Sequence, residues 1–273
     1  MPVTTKKITS FDGEHLFVSE RSNSDNPTKT YILLSGLGGC STSWHWFINN
    51  LLSLRPDTCC VAVDLRGHGL SSHCFPKLSG NILSIYVEDL RMLLSQYERL
   101  DRENIILVAH SFGTLILQEY FATYPTNTFG RVILLASPIN IGVSKFPGAY
   151  TALSVWSKND HAGRLHISLA DHLKFKNTRD LYLPRLLNDM TAIGKGTYIL
   201  LWLSLLGWKS PRPQALNQPN THFVLGSKDI YVTAKKRKRI QKIFPRAQQH
   251  LLDSGHNMVV NIPKTISDLL AQI

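Results

Sequence analysis

The chain has 273 residues, 43% of them hydrophobic, which suits one large α/β domain with an insertion. Its net charge of +11 would suit binding to nucleic acid, anionic lipid or an acidic protein, but no nucleic-acid-binding motif accompanies it. No apolar run reaches the roughly 18–20 residues of a membrane span, and no signal-peptide apolar region follows Met1. The spacing of the four cysteines fits neither a disulfide nor a metal framework, so we expect a cytoplasmic protein.

Predicted strands and helices alternate along most of the chain. A hairpin across Asp12-Gly13 comes first. The later predicted strands are 30–35, 59–63, 105–109, 131–136, 221–225 and 248–252, and the predicted helices are 43–54, 81–100, one directly after Ser111, 233–244 and 258–273. Short connections between alternating elements indicate an α/β fold, with a mostly parallel central sheet and helices on both faces. In such sheets, ligands bind beyond the carboxyl ends of the strands.

The alternation stops after Ser137-Pro138 and resumes near Thr221. Between them, residues 139–217 show helical segments without a convincing buried strand. The sequence therefore predicts a core domain made of residues 1–138 and 218–273, with residues 139–217 as a helical insertion.

Ser111 lies between an uncharged strand and an apolar-periodic helix, with Ala109 and Gly113 on either side. A serine at a sharp strand-to-helix turn needs small neighbours, because the helix folds back closely over the strand. The motif resembles the nucleophile elbow of the α/β-hydrolase fold family, with Ala109 in place of the usual first glycine. An ordinary strand–helix junction is the alternative.

The resemblance implies that Ser111 is a nucleophile with a base and an acid further along the chain. Asp229 follows a predicted strand in the string Gly226-x-x-Asp229, which resembles the acid loop of the family. His256 follows the next strand, where the family histidine lies, and the order Ser111, Asp229, His256 is that of the family. Asp253 is the alternative acid, but a residue so near His256 in a turn is poorly placed to face it.

The resemblance also implies an oxyanion hole, formed by the backbone N–H groups of Leu37 and Phe112. Gly36-Leu37 corresponds to the His-Gly-x signature of the family, with Ser35 in place of the histidine. Gly36 and His110 would lie beside the substrate, and we interpret His110 as a support for the elbow. A merely flexible turn at Gly38-Gly39 is the alternative.

By resemblance, the expected activity is that of an esterase or lipase-like serine hydrolase that cleaves a carboxylic ester through an acyl-enzyme intermediate, without cofactor or metal. The insertion 139–217 resembles the cap, or lid, that many members of the family place over the active site. Within it, the apolar stretch 198–208 favours a hydrophobic acyl group, or else it is a cap helix packed on the main domain. Hydrolysis of an amide, thioester or carbon–carbon bond, acyl transfer, and ligand binding with little turnover are the alternatives. The basic block 235–242 suits an acidic partner such as an acyl carrier protein, or is a solvated helix face.

Overall fold

A computed structural model describes residues 3–77, 81–142, 148–159 and 167–273. One sheet of eight strands runs through it. The strands are β1 (Val3–Thr9), β2 (His15–Ser22), β3 (Lys29–Leu34), β4 (Thr58–Val63), β5 (Ile105–His110), β6 (Arg131–Leu135), β7 (Thr221–Gly226) and β8 (Gln248–Leu252).

The α-helices of the described ranges follow the strands and also fill the segment between β6 and β7. They are α1 (His45–Leu54), α2 (Leu83–Ser95), α3 (Phe112–Thr123), α4 (Ala149–Asn159), α5 (Leu169–Lys174), α6 (Leu183–Ile193), α7 (Lys195–Leu205), α8 (Ala234–Ile243), α9 (Met258–Asn261) and α10 (Pro263–Gln272). None of these helices combines the length and apolar character that crossing a membrane requires.

The order of the strands across the sheet is β1-β2-β4-β3-β5-β6-β7-β8. β1 and β2 pair antiparallel, as do β2 and β4, and the remaining neighbours are parallel. The predicted α/β architecture, with a mostly parallel sheet, is therefore confirmed. The carboxyl ends of β3, β5, β7 and β8 meet at one edge, so the loops that follow these strands are neighbours.

Alternate side chains of the central strand β5 enter two separate hydrophobic cores. Leu107 and Ala109 pack in the core that contains α2 and α3, whereas Ile106 and Val108 pack in the core that contains α1 and α10. Because successive side chains of a strand point to opposite faces, a strand covered by helices on both sides has no polar positions. This explains why β5 reads as an unbroken apolar run.

Two predicted helices differ from the observed ones. The helix predicted over 81–100 ends at Ser95 and continues as turns. The single helix predicted over 258–273 is wrong, because it is divided into α9 and α10 at Ile262, whose φ of −131° is not helical. Pro263 causes the break, since a proline disfavours the helical conformation in the residue before it.

The segment between β6 and β7 contains α4 to α7 among its described residues. Residues 143–147 and 160–166 of this segment lie outside the described ranges. The division into a core and an insertion at 139–217 stays a prediction.

Gly113, in the first turn of α3, packs directly against the end of β3. A Cβ atom at this position would lie 2.8 Å from the carbonyl oxygen of Leu34 and 2.9 Å from that of Ser35. The Gly113 N–H also donates a hydrogen bond to the Ser35 oxygen at 3.2 Å. These backbone atoms cannot rotate away, so the contact requires glycine.

Substitution G113A should therefore destabilise the fold by about 2 kcal/mol, the usual range for overpacking being about 1–3 kcal/mol. The higher helix propensity of alanine, about 1 kcal/mol in a helix interior, does not offset this in the first turn. Urea unfolding would measure the loss. A122S adds one atom at an exposed position of the same helix and should shift stability by less than about 0.5 kcal/mol; equal effects of the two substitutions would contradict the packing argument.

Candidate active site

Ser111 occupies a strained turn between β5 and α3. Its φ of 48° and ψ of −110° lie in a region that residues with a side chain rarely adopt. The turn is anchored to β6, because the Ser111 N–H donates a hydrogen bond to the Leu135 carbonyl oxygen at 3.0 Å. This is the conformation that a nucleophile elbow requires, because it lifts the hydroxyl above the edge of the sheet.

His256 lies between Ser111 and Asp229. Its Nε2 is 2.6 Å from Ser111 Oγ, and its Nδ1 is 2.9 Å from Asp229 Oδ2. Because the Asp229 carboxylate can only accept, Nδ1 carries the proton and Nε2 is free to accept from the hydroxyl of Ser111. The loops after β5, β7 and β8 thus bring the three predicted residues into one hydrogen-bonded chain.

Asp229 is buried at 4% exposure and is held by the backbone of its own loop. Its Oδ1 accepts from the N–H groups of Tyr231 at 2.7 Å and Val232 at 2.8 Å. Burial alone would raise the pKa of Asp229, but the hydrogen bond and charge of His256, together with these N–H donors, lower it overall. Asp229 is therefore an ionised acceptor at neutral pH, oriented toward the imidazole.

Asp253, the alternative acid, lies elsewhere. Its carboxylate is on the surface, 2.9 Å from Lys228 Nζ, and it also accepts from the hydroxyl of Ser227. The hydrogen bonds with Lys228 and Ser227 lower the pKa of Asp253. The structure brings Asp229, not Asp253, to His256.

His110 supports the loop that carries His256. Its Nε2 donates to the His256 carbonyl oxygen at 2.8 Å, so Nε2 holds the proton. Burial, and then the neighbouring His256, lower the pKa of His110 to about 3. A Cβ on Gly36 would lie 2.8 Å from His110 Nδ1, so Gly36 and His110 pack against each other beside Ser111.

The backbone N–H groups of Leu37 and Phe112 remain available to a ligand. Both residues line the same cavity as Ser111 and His256. In the described part of the chain, neither N–H donates a hydrogen bond to a protein acceptor. Two unpaired donors beside a serine hydroxyl form a suitable site for an oxygen atom that gains negative charge.

The cavity beside Ser111 has a volume of about 300 Å³. Its apolar lining includes Leu115 of α3 together with Tyr198, Trp202 and Leu205 of α7. The stretch 198–208 thus contributes to this wall, although Trp202 remains 45% exposed. A cavity of this size accommodates a small organic ligand.

Sequence reasoning missed Asp180, which lies between α5 and α6. Its Oδ1 accepts from the His256 N–H at 2.7 Å, and its Oδ2 accepts from the Ile230 N–H at 3.3 Å. One carboxylate therefore ties the loop of the histidine to the loop of Asp229. No local motif marks Asp180, because its partners lie far along the chain and meet it only in the folded protein.

The model of the alpha/beta hydrolase fold matches residues 30–261. The chain belongs to this family. The thioesterase domain from the curacin biosynthetic pathway has a TM-score of 0.70 at 16% identity, covering 99% of each chain. An esterase from Exiguobacterium antarcticum has a TM-score of 0.70 at 15% identity, covering 98% of each chain. At these identities, the similarity concerns the fold.

Curated relatives are similar over shorter stretches. The cis-3-alkyl-4-alkyloxetan-2-one decarboxylase of Shewanella oneidensis is 38% identical over 95 residues, which are 34% of this chain and 29% of that protein. The human serine hydrolase-like protein is 33% identical over 92 residues, which are 33% of this chain and 43% of that protein. The matches thus span less than half the length of these relatives. The family and the serine hydrolase-like relative support a hydrolase.

The depressed pKa of His110 predicts a loss of stability in acid. Between pH 6.5, its ordinary pKa, and about 3, the unfolded chain binds a proton that the folded chain does not. Stability therefore falls as the pH falls through this window, by about 1.4 kcal/mol per pH unit for this group. Gln can still donate to the His256 oxygen, so H110Q should lose about 2 kcal/mol less than wild type between pH 7 and 5, measured by urea unfolding. H15Q removes an exposed imidazole as the control; the same pH dependence in wild type and H110Q would contradict the prediction.

Proposed function

We propose that this protein is a serine hydrolase that cleaves a carboxylic ester through a covalent acyl-enzyme. The observation that carries the proposal is the continuous hydrogen-bonded chain from Ser111 Oγ through His256 to Asp229, at 2.6 and 2.9 Å. Ser111 and His256 line the cavity together with Leu37 and Phe112, whose backbone N–H groups have no acceptor among the described residues. Membership of the fold family alone would not support this activity, since one fold hosts many activities.

In the first half of the reaction, Ser111 Oγ attacks the ester carbonyl carbon while His256 Nε2 takes its proton. The carbonyl π electrons move onto oxygen, and Asp229 stabilises the imidazolium that forms. Collapse of the tetrahedral intermediate breaks the bond to the alcohol oxygen, which takes the proton from His256 and leaves. The products of this half are a free alcohol and an acyl group on Ser111.

In the second half, a water molecule repeats the route. His256 removes its proton as the water oxygen attacks the acyl carbon, and the proton returns to Ser111 Oγ when the acid leaves. In both halves, the N–H groups of Leu37 and Phe112 would bind the oxyanion. Removal of one such donor typically costs about 3–4 kcal/mol of transition-state stabilisation.

The walls of the cavity support a hydrophobic portion in the acyl chain or the alcohol. Leu115, Leu186, Trp202 and Leu205 line it together with Ser111. We also propose that residues 139–217 act as a cap over the site, because α6 and α7 of that segment supply one side of the cavity.

The assignment of the acid predicts different outcomes for two aspartates. D229N should lower kcat for a p-nitrophenyl ester by about 10⁴-fold, because the amide no longer fixes the imidazole in the productive tautomer. D253N neutralises a carboxylate that is close to His256 in the sequence but lies on the surface. It should change kcat by less than about twofold. Steady-state kinetics would measure both, and the reverse ranking would assign the acid to Asp253.

A fluorophosphonate probe tests the nucleophile. We expect one adduct per chain, located on Ser111 by peptide mass spectrometry, and none in S111A. S111A should also lose ester turnover by about 10⁴-fold or more, because no other group supplies the nucleophile. A panel of p-nitrophenyl esters of rising chain length would then define the acyl preference. If the wild-type protein neither reacts with the probe nor turns over any of the esters, the proposal is refuted and a ligand-binding role is favoured.

A further inference from the structure

Arg185 lies in the wall of the candidate active site without a hydrogen-bond acceptor among the described residues. It belongs to α6, and 15% of its side chain is exposed. Its Nη1 atom is buried and has no hydrogen-bond partner in the described part of the chain. The carboxylate of Asp189 is 3.9 Å from Nε, beyond hydrogen-bond distance. Burial lowers the pKa of Arg185, and the charges of Asp189 and Asp180 offset this only in part, so an anion bound here would further stabilise the guanidinium.

The carboxylates of Asp189 and Asp180 offset part of the charge of Arg185, but among the described residues they give its Nη1 no hydrogen bond. Both oxygens of Asp180 already accept backbone N–H groups. Burial raises the pKa of Asp189 to about 7, so near neutrality much of it is a neutral acid that can donate a hydrogen bond to an anion. Lys236 of α8 adds a second cation to the same wall. Where Asp189 is neutral, the two cations outnumber the single carboxylate of Asp180 in this wall, so the site favours a ligand with negative charge.

Arg185 and Ser111 can contact one small molecule. Both line the cavity of about 300 Å³, together with His256. Arg185 also borders a smaller cavity of about 50 Å³ next to Gly36 and His110. A ligand whose ester carbonyl lies at Ser111 therefore has room to extend an anionic group to the guanidinium.

We propose that the ester substrate of this protein carries a carboxylate, and that Arg185 binds it while Ser111 attacks the ester carbonyl. A guanidinium presents paired N–H donors that match the two oxygens of a carboxylate. The inference rests on the proposed esterase function and names its substrate class. It assigns Arg185 a role in specificity, separate from the chemical step.

Pairs of esters in which one member has a free carboxylate and the other its methyl ester test the inference. The acyl-side pair is p-nitrophenyl hydrogen adipate and its methyl ester, and the alcohol-side pair is para-(hexanoyloxy)benzoate and its methyl ester. In each pair, the ratio of kcat/KM for the charged over the neutral ester is compared between proteins, so that a general loss of activity cancels. We expect wild type to prefer the charged ester in at least one pair, which also shows which side of the ester carries the carboxylate.

R185M should lower this ratio by about 10- to 100-fold, because hydrogen bonds to charged groups contribute at about that level. R185K keeps the charge but loses the paired donors, and should retain part of the preference. R179M removes the same charge from an exposed residue that lines neither cavity, and should keep the wild-type ratio.

Two results would overturn the inference while leaving the esterase function intact. They are turnover of both pairs without preference for the charged ester, and an R185M ratio equal to that of wild type. If no ester is turned over, a binding measurement tests the carboxylate site instead. Titration calorimetry of S111A with monomethyl and dimethyl adipate should show tighter binding of the monoanion, lost on addition of R185M; equal binding of the two esters would refute the carboxylate site.

Discussion

The whole site depends on the backbone of one serine, which is held at a φ of 48°. Such a conformation costs of order 1–3 kcal/mol and persists only where the surroundings impose it. Here they do so by close contact. Gly113 lies against the end of β3, Gly36 lies against His110 and Ser111, and the Ser111 N–H is bonded to β6. Larger side chains at the two glycines would separate the strand ends and lower the hydroxyl away from the imidazole.

A second set of contacts fixes the loops around this turn. Asp64, at the end of β4, accepts from the Ser41 N–H at 2.6 Å and from the Leu70 N–H at 2.8 Å. Arg66 is fully buried and bonds Asp89 and Asp12 on two sides. A buried ion pair adds little net stability, but loss of one partner costs about 3–5 kcal/mol because the other charge stays buried. The string from Asp64 to Ser71 thus ties the loop after β3 to the amino-terminal hairpin.

The sequence was informative wherever a local pattern decided the outcome. The apolar run of β5, and the polar residues directly after strands, predicted the parallel sheet and the convergence of Ser111, Asp229 and His256. Pro263 was a readable signal for the break between α9 and α10, since proline restricts its predecessor. The roles of the catalytic residues and of the cap stay predictions that chemistry must test.

Asp180 and Arg185 could not be recognised from sequence, for a common physical reason. Both belong to the segment between β6 and β7, where no strand periodicity constrains the register. Asp180 acquires its role through N–H groups 50 and 76 residues away. The role proposed for Arg185 rests on its buried Nη1 atom, which has no acceptor among the described residues. Neither property is encoded by neighbouring residues, so only the three-dimensional packing reveals it.

If the proposed reaction takes place, the carboxylate of Asp180 would also affect the order of its events. Any departure of this aspartate from the site, for example to admit a ligand, would strip acceptors from the backbone on both sides of the imidazole. The loops that hold the base and its acid would then lose a shared restraint at the moment of entry. Return of the same side chain would restore that restraint, so proton transfer would be best prepared only once the ligand is enclosed.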